Sequence, residues 1–337
     1  MSTSICVTGA NSFIGSHIVC ALLLQGYKVV AAVKDLSDKG ATQHLLDLIE
    51  DTHNPDLELV EANLNDEQAY KSLFATVDIV VHTALDTSLS FSNERHVALH
   101  KESIQRVANA IKHSSSLKQF VFLSSIGTLI GCACHPNPHC HTKVKRIAEQ
   151  EFRKACEGSF TQPEFACLHA AIASGPSFST STSSILKYLF ERLQLSHENV
   201  GDIMLPFVDV RDVALAVTTV IQKQGLSDSH SVVADYLTLS ELRSHLKSHL
   251  LLQPVNKKPL HISENHISNE LDDILFAVEL RSAITPDQNL KFQVTEARPN
   301  LFETLNWPYT PLSESVANTC EQLIPNLQSD TALKEAG

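Results

Sequence analysis

The chain has 337 residues, of which 43% are hydrophobic and 19% are charged, and its formal net charge is -12. A chain of this length can bury a substantial core, in one domain with a sizeable lobe or in two small domains. The acidic balance and the absence of a Lys/Arg run make nucleic acid and anionic membrane surfaces poor partners.

No apolar run approaches the length that spans a membrane, and the first predicted strand leaves no room for a signal peptide. We therefore expect a cytoplasmic protein. The chain contains eight cysteines, which in a chain this long do not form a dense disulfide framework, so reduced thiols are expected.

The first residues predict a strand, a turn and a helix. A short apolar run at 5–7 ends in a glycine-containing turn, and a helix follows from about Phe13 to Gln25. Such a unit binds dinucleotides, because Gly9 permits the tight turn, Gly15 lets the helix pack closely, and N–H groups at the helix start face the pyrophosphate. The middle glycine of this pattern is replaced by Ser12, so the site is altered.

Apolar runs and helical periods alternate through the next 150 or so residues. We predict strands at Tyr27–Val33, Leu57–Val60, Asp78–His82, Gln119–Leu123 and Phe165–His169, and helices at Thr42–Asp51, Glu67–Phe74, Arg95–His113 and Lys143–Cys156. This alternation predicts an α/β fold, a doubly wound parallel sheet of the Rossmann type, with its ligand crevice at the carboxyl ends of the strands.

The pattern loosens after Gly175. A strand near Pro206 feeds a helix for which Asp209 is the predicted N-cap. We assign residues 1–175 to a dinucleotide-binding domain, to which residues 203–222 return. Residues 176–330 are assigned mainly to a smaller C-terminal α+β lobe that binds the substrate.

Six segments, in this order, resemble the extended short-chain dehydrogenase/reductase family, particularly its dihydroflavonol-reductase-like branch. They are Thr8–Gly15, Val80–Ala84, Phe120–Ser125, Lys145 with Ala148 and Glu149, Gly175–Pro176 and Phe207–Ala214. The resemblance implies an oxidoreductase that acts on a small carbonyl or alcohol metabolite.

The family uses a Ser that binds the substrate carbonyl, a Tyr that exchanges the proton, and a Lys four residues after the Tyr. The resemblance places Ser125 at the Ser position and Lys145 at the Lys position, which makes His141 the residue at the Tyr position. No Tyr-x-x-x-Lys occurs anywhere in the chain. A second register, with His139 and Lys143, has the same spacing. The family's Asn-Pro-Gly beside the nicotinamide is replaced by a segment that begins at His169.

Three interpretations of His141 stay open. It can replace the Tyr, since an imidazole exchanges protons near neutral pH. The protein can instead have lost redox chemistry and catalyse an isomerisation, cyclisation or dehydration by positioning its substrate. It can also be a binding protein without turnover.

The expected cofactor is NADP, with NAD less favoured, because Lys34 follows the second strand where a cation accepts a 2′-phosphate. Asp35 and Asp38 stand close by and oppose this preference. The complete set of expected cofactor contacts is Gly9, Asn11, Ser12, Phe13, Ile14, Gly15, Lys34, Asn63, Leu64, Thr83, Ala84 and Lys145.

Six Cys and His residues lie within the ten-residue stretch from Cys132 to His141. These residue types bind zinc, but their spacing matches no known zinc pattern. We favour a short active-site loop over a metal site, and we expect no metal. The expected partners are a small-molecule substrate and, for helices of this sheet type, a second copy in a homodimer.

Overall fold

The computed structural model describes residues 3–84, 94–129, 140–179, 204–223, 225–250 and 298–322. The strands are β1 (Ser4–Thr8), β2 (Lys28–Val33), β3 (Leu57–Glu61), β4 (Ile79–His82), β5 (Gln119–Ser125), β6 (Glu164–Ala170), β7 (Ile172–Ser174), β8 (Met204–Asp209), β9 (Asp228–Val232) and β10 (Asp235–Thr238). The helices are α1 (Phe13–Leu24), α2 (Lys39–Thr52), α3 (Glu67–Phe74), α4 (Glu94–His113), α5 (Cys140–Glu157), α6 (Val210–Gln222), α7 (Leu239–Leu250), α8 (Leu301–Leu305) and α9 (312–322), with a 3₁₀ turn at Ile126–Thr128.

Seven strands form the main sheet in the order β3-β2-β1-β4-β5-β6-β9, and every pair in it is parallel. The predicted doubly wound parallel sheet is therefore confirmed. The strand order reverses between β1 and β4, which is where sheets of this kind open a ligand crevice. A second, three-stranded sheet has the order β10-β8-β7.

Helices cover both faces of the main sheet. One hydrophobic cluster joins α1 and α6 to alternate strand residues such as Val7, Val81 and Val121. A second joins α3, α4 and α5 to the residues between them, such as Phe120 and Phe122. Strands of a parallel sheet are buried on both sides, which explains why their sequences read as continuous apolar runs.

Most predicted elements lie within a few residues of the observed ones, and two differences bear on the site. Strand β5 continues two residues beyond Leu123, because Ser124 and Ser125 still pair with β6. Helix α5 begins at Cys140, three residues before Lys143. Polar residues supply no apolar period at either place, so the sequence pattern missed both extensions.

The predicted N-cap of α6 is confirmed. The carboxylate of Asp209 accepts a hydrogen bond of 2.8 Å from the backbone N–H of Arg211, and the Arg211 guanidinium donates two more to the same carboxylate. This fully buried aspartate therefore anchors a helix start. Across the described part of the chain, no helix combines the length and the apolar character needed to cross a bilayer.

A pair of phenylalanines tests how far stability depends on the second hydrophobic cluster, which joins α3, α4 and α5 to the sheet. Phe120 is fully buried, with its ring centroid 5.3 Å from that of Phe152, whereas Phe160 is 97% exposed. We expect Phe120→Ala to lower the free energy of unfolding by about 3–5 kcal/mol, since it leaves a cavity. Phe160→Ala should change it by no more than about 0.5 kcal/mol. Urea denaturation measures both, and equal losses would contradict this account of the core.

Candidate functional site

Two glycines fix the turn between β1 and α1. Gly9 has φ +66°, and a Cβ there would lie 2.9 Å from the Thr83 hydroxyl. A Cβ on Gly15 would overlap the carbonyl oxygen of Gly9. Both positions therefore require glycine. Gly9 has a backbone conformation that favours glycine and no space for a side chain, whereas Gly15 lacks only the space. Helix α1 consequently starts in direct contact with the end of β1.

Ser12 differs from these glycines. Its backbone is extended (φ -75°, ψ 165°), a conformation open to any residue. Its hydroxyl oxygen accepts a 3.0 Å hydrogen bond from the N–H of Gly15. Ser12 thus caps the helix and engages one of the N–H groups that the sequence pattern assigns to a pyrophosphate. The exposed hydroxyl keeps its own proton, which can be donated to an anion.

The other predicted residues of this turn surround the cap. Phe13 is buried against Ala173 and Val210, while Asn11 and Ile14 are half-buried. Phe13 therefore anchors the helix start to the second sheet, and the half-buried residues lie at the surface of the turn.

The end of β4 is joined to the end of β1. The Thr83 hydroxyl donates to the carbonyl oxygen of Thr8 at 2.7 Å, and the N–H of Ala84 donates to the Thr8 hydroxyl at 3.4 Å. The Thr8 hydroxyl also lies 2.8 Å from Nδ1 of His82. Burial, together with the charge of Lys145, lowers the pKa of His82 to about 3. His82 is therefore a neutral residue at the buried end of β4.

The segment after β2 contains the residues expected to distinguish NADP from NAD. Lys34 is exposed at the end of the strand. Oδ1 of Asp35 accepts hydrogen bonds from the N–H and the hydroxyl of Ser37, at 2.7 and 2.6 Å, which lowers the pKa of that carboxyl group. The Asp38 carboxylate caps α2 through the N–H of Ala41. Each carboxylate near Lys34 thus has a local donor. The side chain of Asn63, after β3, similarly accepts from its own loop.

Ser125 ends β5 and begins the 3₁₀ turn. Its hydroxyl oxygen accepts from the N–H of Gly127 at 3.2 Å, and its backbone carbonyl accepts from the hydroxyl of Thr128 at 2.9 Å. The residue is 7% exposed. Ser125 therefore lies at the carboxyl edge of the sheet, and β4 lies between its strand and β1, so the two strands are about 10 Å apart.

Three side chains of α5 hold this end of β5. Nζ of Lys145 donates to the carbonyl of Leu123 at 2.9 Å. The Arg146 guanidinium donates two hydrogen bonds to the carbonyl of Thr128, at 3.0 and 2.7 Å. Glu149 accepts from the hydroxyl of Ser124. In the sequence, Glu149 serves only to align Lys145 with the Lys of the family pattern. Arg146 is not identified from the sequence, because its contact depends on the path of the turn.

The backbone of His141 lies in the first turn of α5, one helical turn before Lys145. Its side chain, and all of Cys132, Cys134, His135 and His139, lie outside the described residues. The roles of His141 and of the cysteine- and histidine-rich stretch stay predictions.

One cavity brings together predicted cofactor residues from three separate segments. It is lined by Leu64 after β3, Ala84 after β4 and Lys145 of α5, together with buried residues that include His82 and His100. Lys145 is 8% exposed, and its Nζ lies 5.0 Å from the ring centroid of Phe122.

A second cluster lies beside Ser125. Glu149, Cys167 and His169 place one donor atom each within 4.8 Å of one another, which among the described residues is a geometry that can hold a metal ion. The hydroxyls of Ser124 and Thr128 are hydrogen-bonded to Glu149 and His169 respectively. The cluster is thus a hydrogen-bonded network as it stands.

Comparison with known proteins gives a family match over most of the chain. The model of the NAD dependent epimerase/dehydratase family matches residues 5–234. The yeast methylglyoxal/isovaleraldehyde reductase Gre2, solved in complex with NADPH, superposes with a TM-score of 0.72 and 16% identity, and covers 97% of this chain and 99% of that one. At this identity the likeness concerns the fold.

Two curated relatives are similar in sequence. The bifunctional dihydroflavonol 4-reductase/flavanone 4-reductase of Pyrus communis is 36% identical over 133 residues, which is 38% of this chain and 37% of the relative. Cinnamoyl-CoA reductase 1 of Arabidopsis thaliana is 28% identical over 244 residues, 66% of this chain and 68% of the relative. The alignments with the first curated relatives thus span little more than a third of those proteins.

The steric role of Gly15 gives a direct test of the turn. We expect Gly15→Ala to weaken NADPH binding at least tenfold, because the new Cβ displaces α1 from the carbonyl of Gly9. Gly40→Ala is the matched control, since a Cβ there meets only Asp38 at an ordinary 3.5 Å. Isothermal titration calorimetry gives both affinities, and equal affinities for the two variants would refute the role assigned to this turn.

Proposed function

Because this chain belongs to the NAD dependent epimerase/dehydratase family, we propose that it is an NADP-linked oxidoreductase that acts on a small carbonyl or alcohol metabolite. The observation that carries the proposal is the turn between β1 and α1, where neither Gly9 nor Gly15 has room for a side chain and where the strand order of the parallel sheet reverses. The names of the relatives, a dihydroflavonol 4-reductase/flavanone 4-reductase, a cinnamoyl-CoA reductase and a methylglyoxal/isovaleraldehyde reductase, support the choice of oxidoreductase.

The turn at Gly9 and Gly15 fits a dinucleotide, because the lack of a side chain at both positions lets the end of β1 and the start of α1 approach as closely as a pyrophosphate site requires. When bound, the cofactor supplies or accepts a hydride. N–H groups at the start of α1 and the Ser12 hydroxyl hold the pyrophosphate. Lys145 lies in the lining of the same cavity as Ala84, and its ammonium group would bind the nicotinamide ribose.

The reacting groups lie at the end of β5 and the start of α5. The Ser125 hydroxyl donates to the carbonyl oxygen of the substrate and positions it. His141 gives a proton to that oxygen during reduction and takes one from the alcohol during oxidation. An imidazole is shorter than the phenol of the usual Tyr, so the substrate must lie closer to α5.

The cofactor preference depends on Lys34. We expect Lys34→Ala to raise the Kd for NADPH about tenfold and the Kd for NADH less than twofold, because only NADPH carries the 2′-phosphate. Lys118→Ala is the control, since Lys118 lies at the opposite edge of the sheet, where its ammonium pairs with Asp78 at 2.8 Å. Calorimetric titration measures these constants. Failure of wild-type protein to bind either cofactor at millimolar concentration would refute the proposed function.

The replaced tyrosine is tested by restoring it. We expect His141→Tyr to raise NADPH-dependent turnover of an aldehyde and ketone panel at least threefold, because a phenol one turn before Lys145 restores the family's proton donor. His139→Tyr should have a smaller effect. The opposite ranking, measured by NADPH absorbance, would show that His139 and Lys143 form the correct register.

His141 also favours a second candidate, a redox-neutral isomerase, cyclase or dehydratase that binds its substrate on the same scaffold. NADPH binding by wild-type protein without oxidation on any member of the panel would support this candidate. A protein that binds cofactor and ligands but converts none of them would be a non-catalytic binding protein.

A further inference from the structure

We propose that His169 and Glu149 are positioning residues for Ser125. They form a buried hydrogen-bonded bridge from β6 and α5 to the turn that carries the Ser125 hydroxyl. The inference rests on the proposed function in one respect, since it takes Ser125 as the group that binds the substrate oxygen.

The register of the sheet brings these residues together. Ser124 pairs with His169 and Ser125 pairs with Ala170 on the neighbouring strand. Because side chains alternate along a strand, Ser124 and His169 share the face that α5 covers. His169 is only 1% exposed. It therefore lies behind the 3₁₀ turn that follows Ser125 and is out of contact with solvent, as expected of a group that acts through its neighbours.

The hydrogen bonds fix how His169 acts. Its Nδ1 lies 2.8 Å from the Thr128 hydroxyl, which itself lies 2.9 Å from the backbone carbonyl of Ser125. A hydroxyl has one proton, and the carbonyl can only accept. When Thr128 donates to Ser125, Nδ1 of His169 must carry a proton and donate it to Thr128. A proton donated by Nδ1 leaves the Thr128 proton for an acceptor, and both the carbonyl of Ser125 and the carboxylate of Glu149 lie within its reach.

Glu149 completes the bridge. Its carboxylate accepts from the Ser124 hydroxyl and lies 3.5 Å from Nδ1 of His169. Burial raises the pKa of Glu149, while the hydroxyls of Ser124 and Thr128 and the charges of Lys145 and Arg146 oppose the rise. The carboxylate thus restrains Ser124, the residue before Ser125, and lies beside the imidazole of His169.

The Arg146 guanidinium holds the turn from α5 through two hydrogen bonds to the carbonyl of Thr128, and the bridge adds a second restraint on the turn. Within it, the N–H of Gly127 donates to the Ser125 hydroxyl and the N–H of Leu129 donates to the carbonyl of Ile126, at 3.2 and 3.0 Å. A displacement of about 1 Å in a group that positions a reacting atom can cost about a hundredfold in rate. The bridge holds the Ser125 hydroxyl where a substrate oxygen can meet it.

The same cluster includes Cys167, which provides a control. Burial raises the pKa of the Cys167 thiol well above its usual value, so the thiol is neutral. It takes no part in the bridge. If the cluster acted through a bound metal ion, loss of this thiol would be as damaging as loss of the imidazole.

The test compares His169→Leu, His169→Asn and Cys167→Ala in the full chain. Hydrogen exchange of the Gly127 and Leu129 amides is measured by NMR, kcat and KM are measured on the best substrate of the carbonyl panel, and Kd is measured for NADPH. We expect His169→Leu to speed exchange of these amides and to lower kcat, each at least tenfold, while Kd for NADPH stays within twofold. His169→Asn, whose amide N–H can also donate to Thr128, should stay within threefold of wild type in all three measurements, as should Cys167→Ala.

Equal losses in His169→Leu and His169→Asn, or no loss in either, would overturn the proposal. Equal losses in His169→Leu and Cys167→Ala would also overturn it. Thr128→Val, which removes the hydroxyl and keeps the shape, is the second variant should His169→Leu fail to fold, and the same losses are expected of it. If wild-type protein reduces no carbonyl compound, the proposed function fails, but the exchange rates still decide whether the bridge holds the turn.

Discussion

The common direction of the seven strands in the main sheet is the constraint on which the candidate site depends. Because all the strands run the same way, their carboxyl ends meet at one edge, and the residues that follow them become neighbours. Gly9 follows β1, Thr83 follows β4 and Ser125 ends β5. A parallel sheet must also be covered on both faces. Helices take up those faces, so the polar groups of the site are concentrated at the edge.

Side chains of helix α5 form hydrogen bonds to groups at that edge of the sheet. Its apolar residues pack on the sheet, while Lys145, Arg146 and Glu149 reach groups at or beyond the end of the β4–β5 pairing. That pairing ends at Phe122, so the carbonyl of Leu123 is the first one beyond it. Lys145 supplies this carbonyl with a donor. Backbone groups near strand ends need such partners when they are buried, and here the partners come from the helix that carries the proposed catalytic residues.

The substitutions that separate this chain from the family pattern differ in their physical consequences. Ser12 is compatible with the turn, because its backbone is extended and its hydroxyl caps α1. His169 is accommodated by hydrogen bonding to Thr128. The strands beside both residues keep their parallel pairing. The replacement at 141 concerns the reaction itself, because it changes the group available for proton transfer.

The fold could be predicted from the sequence because local patterns encode it. The apolar run at 5–7 and the segment Val80–His82 predict strands, and the glycines at 9 and 15 predict a turn. Each of these predictions depends only on residues that are close together in the sequence. The same holds for the N-cap at Asp209. Element ends were less accurate where polar residues continue a strand or a helix, as at Ser125 and Cys140, because such residues give no hydrophobic period. At Ser125 it is pairing with β6 that extends the strand.

The sequence by itself determined the alternation of strands and helices, and with it the parallel sheet and the edge where the site lies, because side-chain periodicity is a property of consecutive residues. It also predicted the segments that are proposed to form the candidate site. Only the tertiary structure decided that Ser12 engages a helix N–H, that Lys145 binds the carbonyl of Leu123, and that His169 and Glu149 meet behind Ser125. These contacts depend on distances between elements far apart in the chain, and no local pattern of residues specifies such distances.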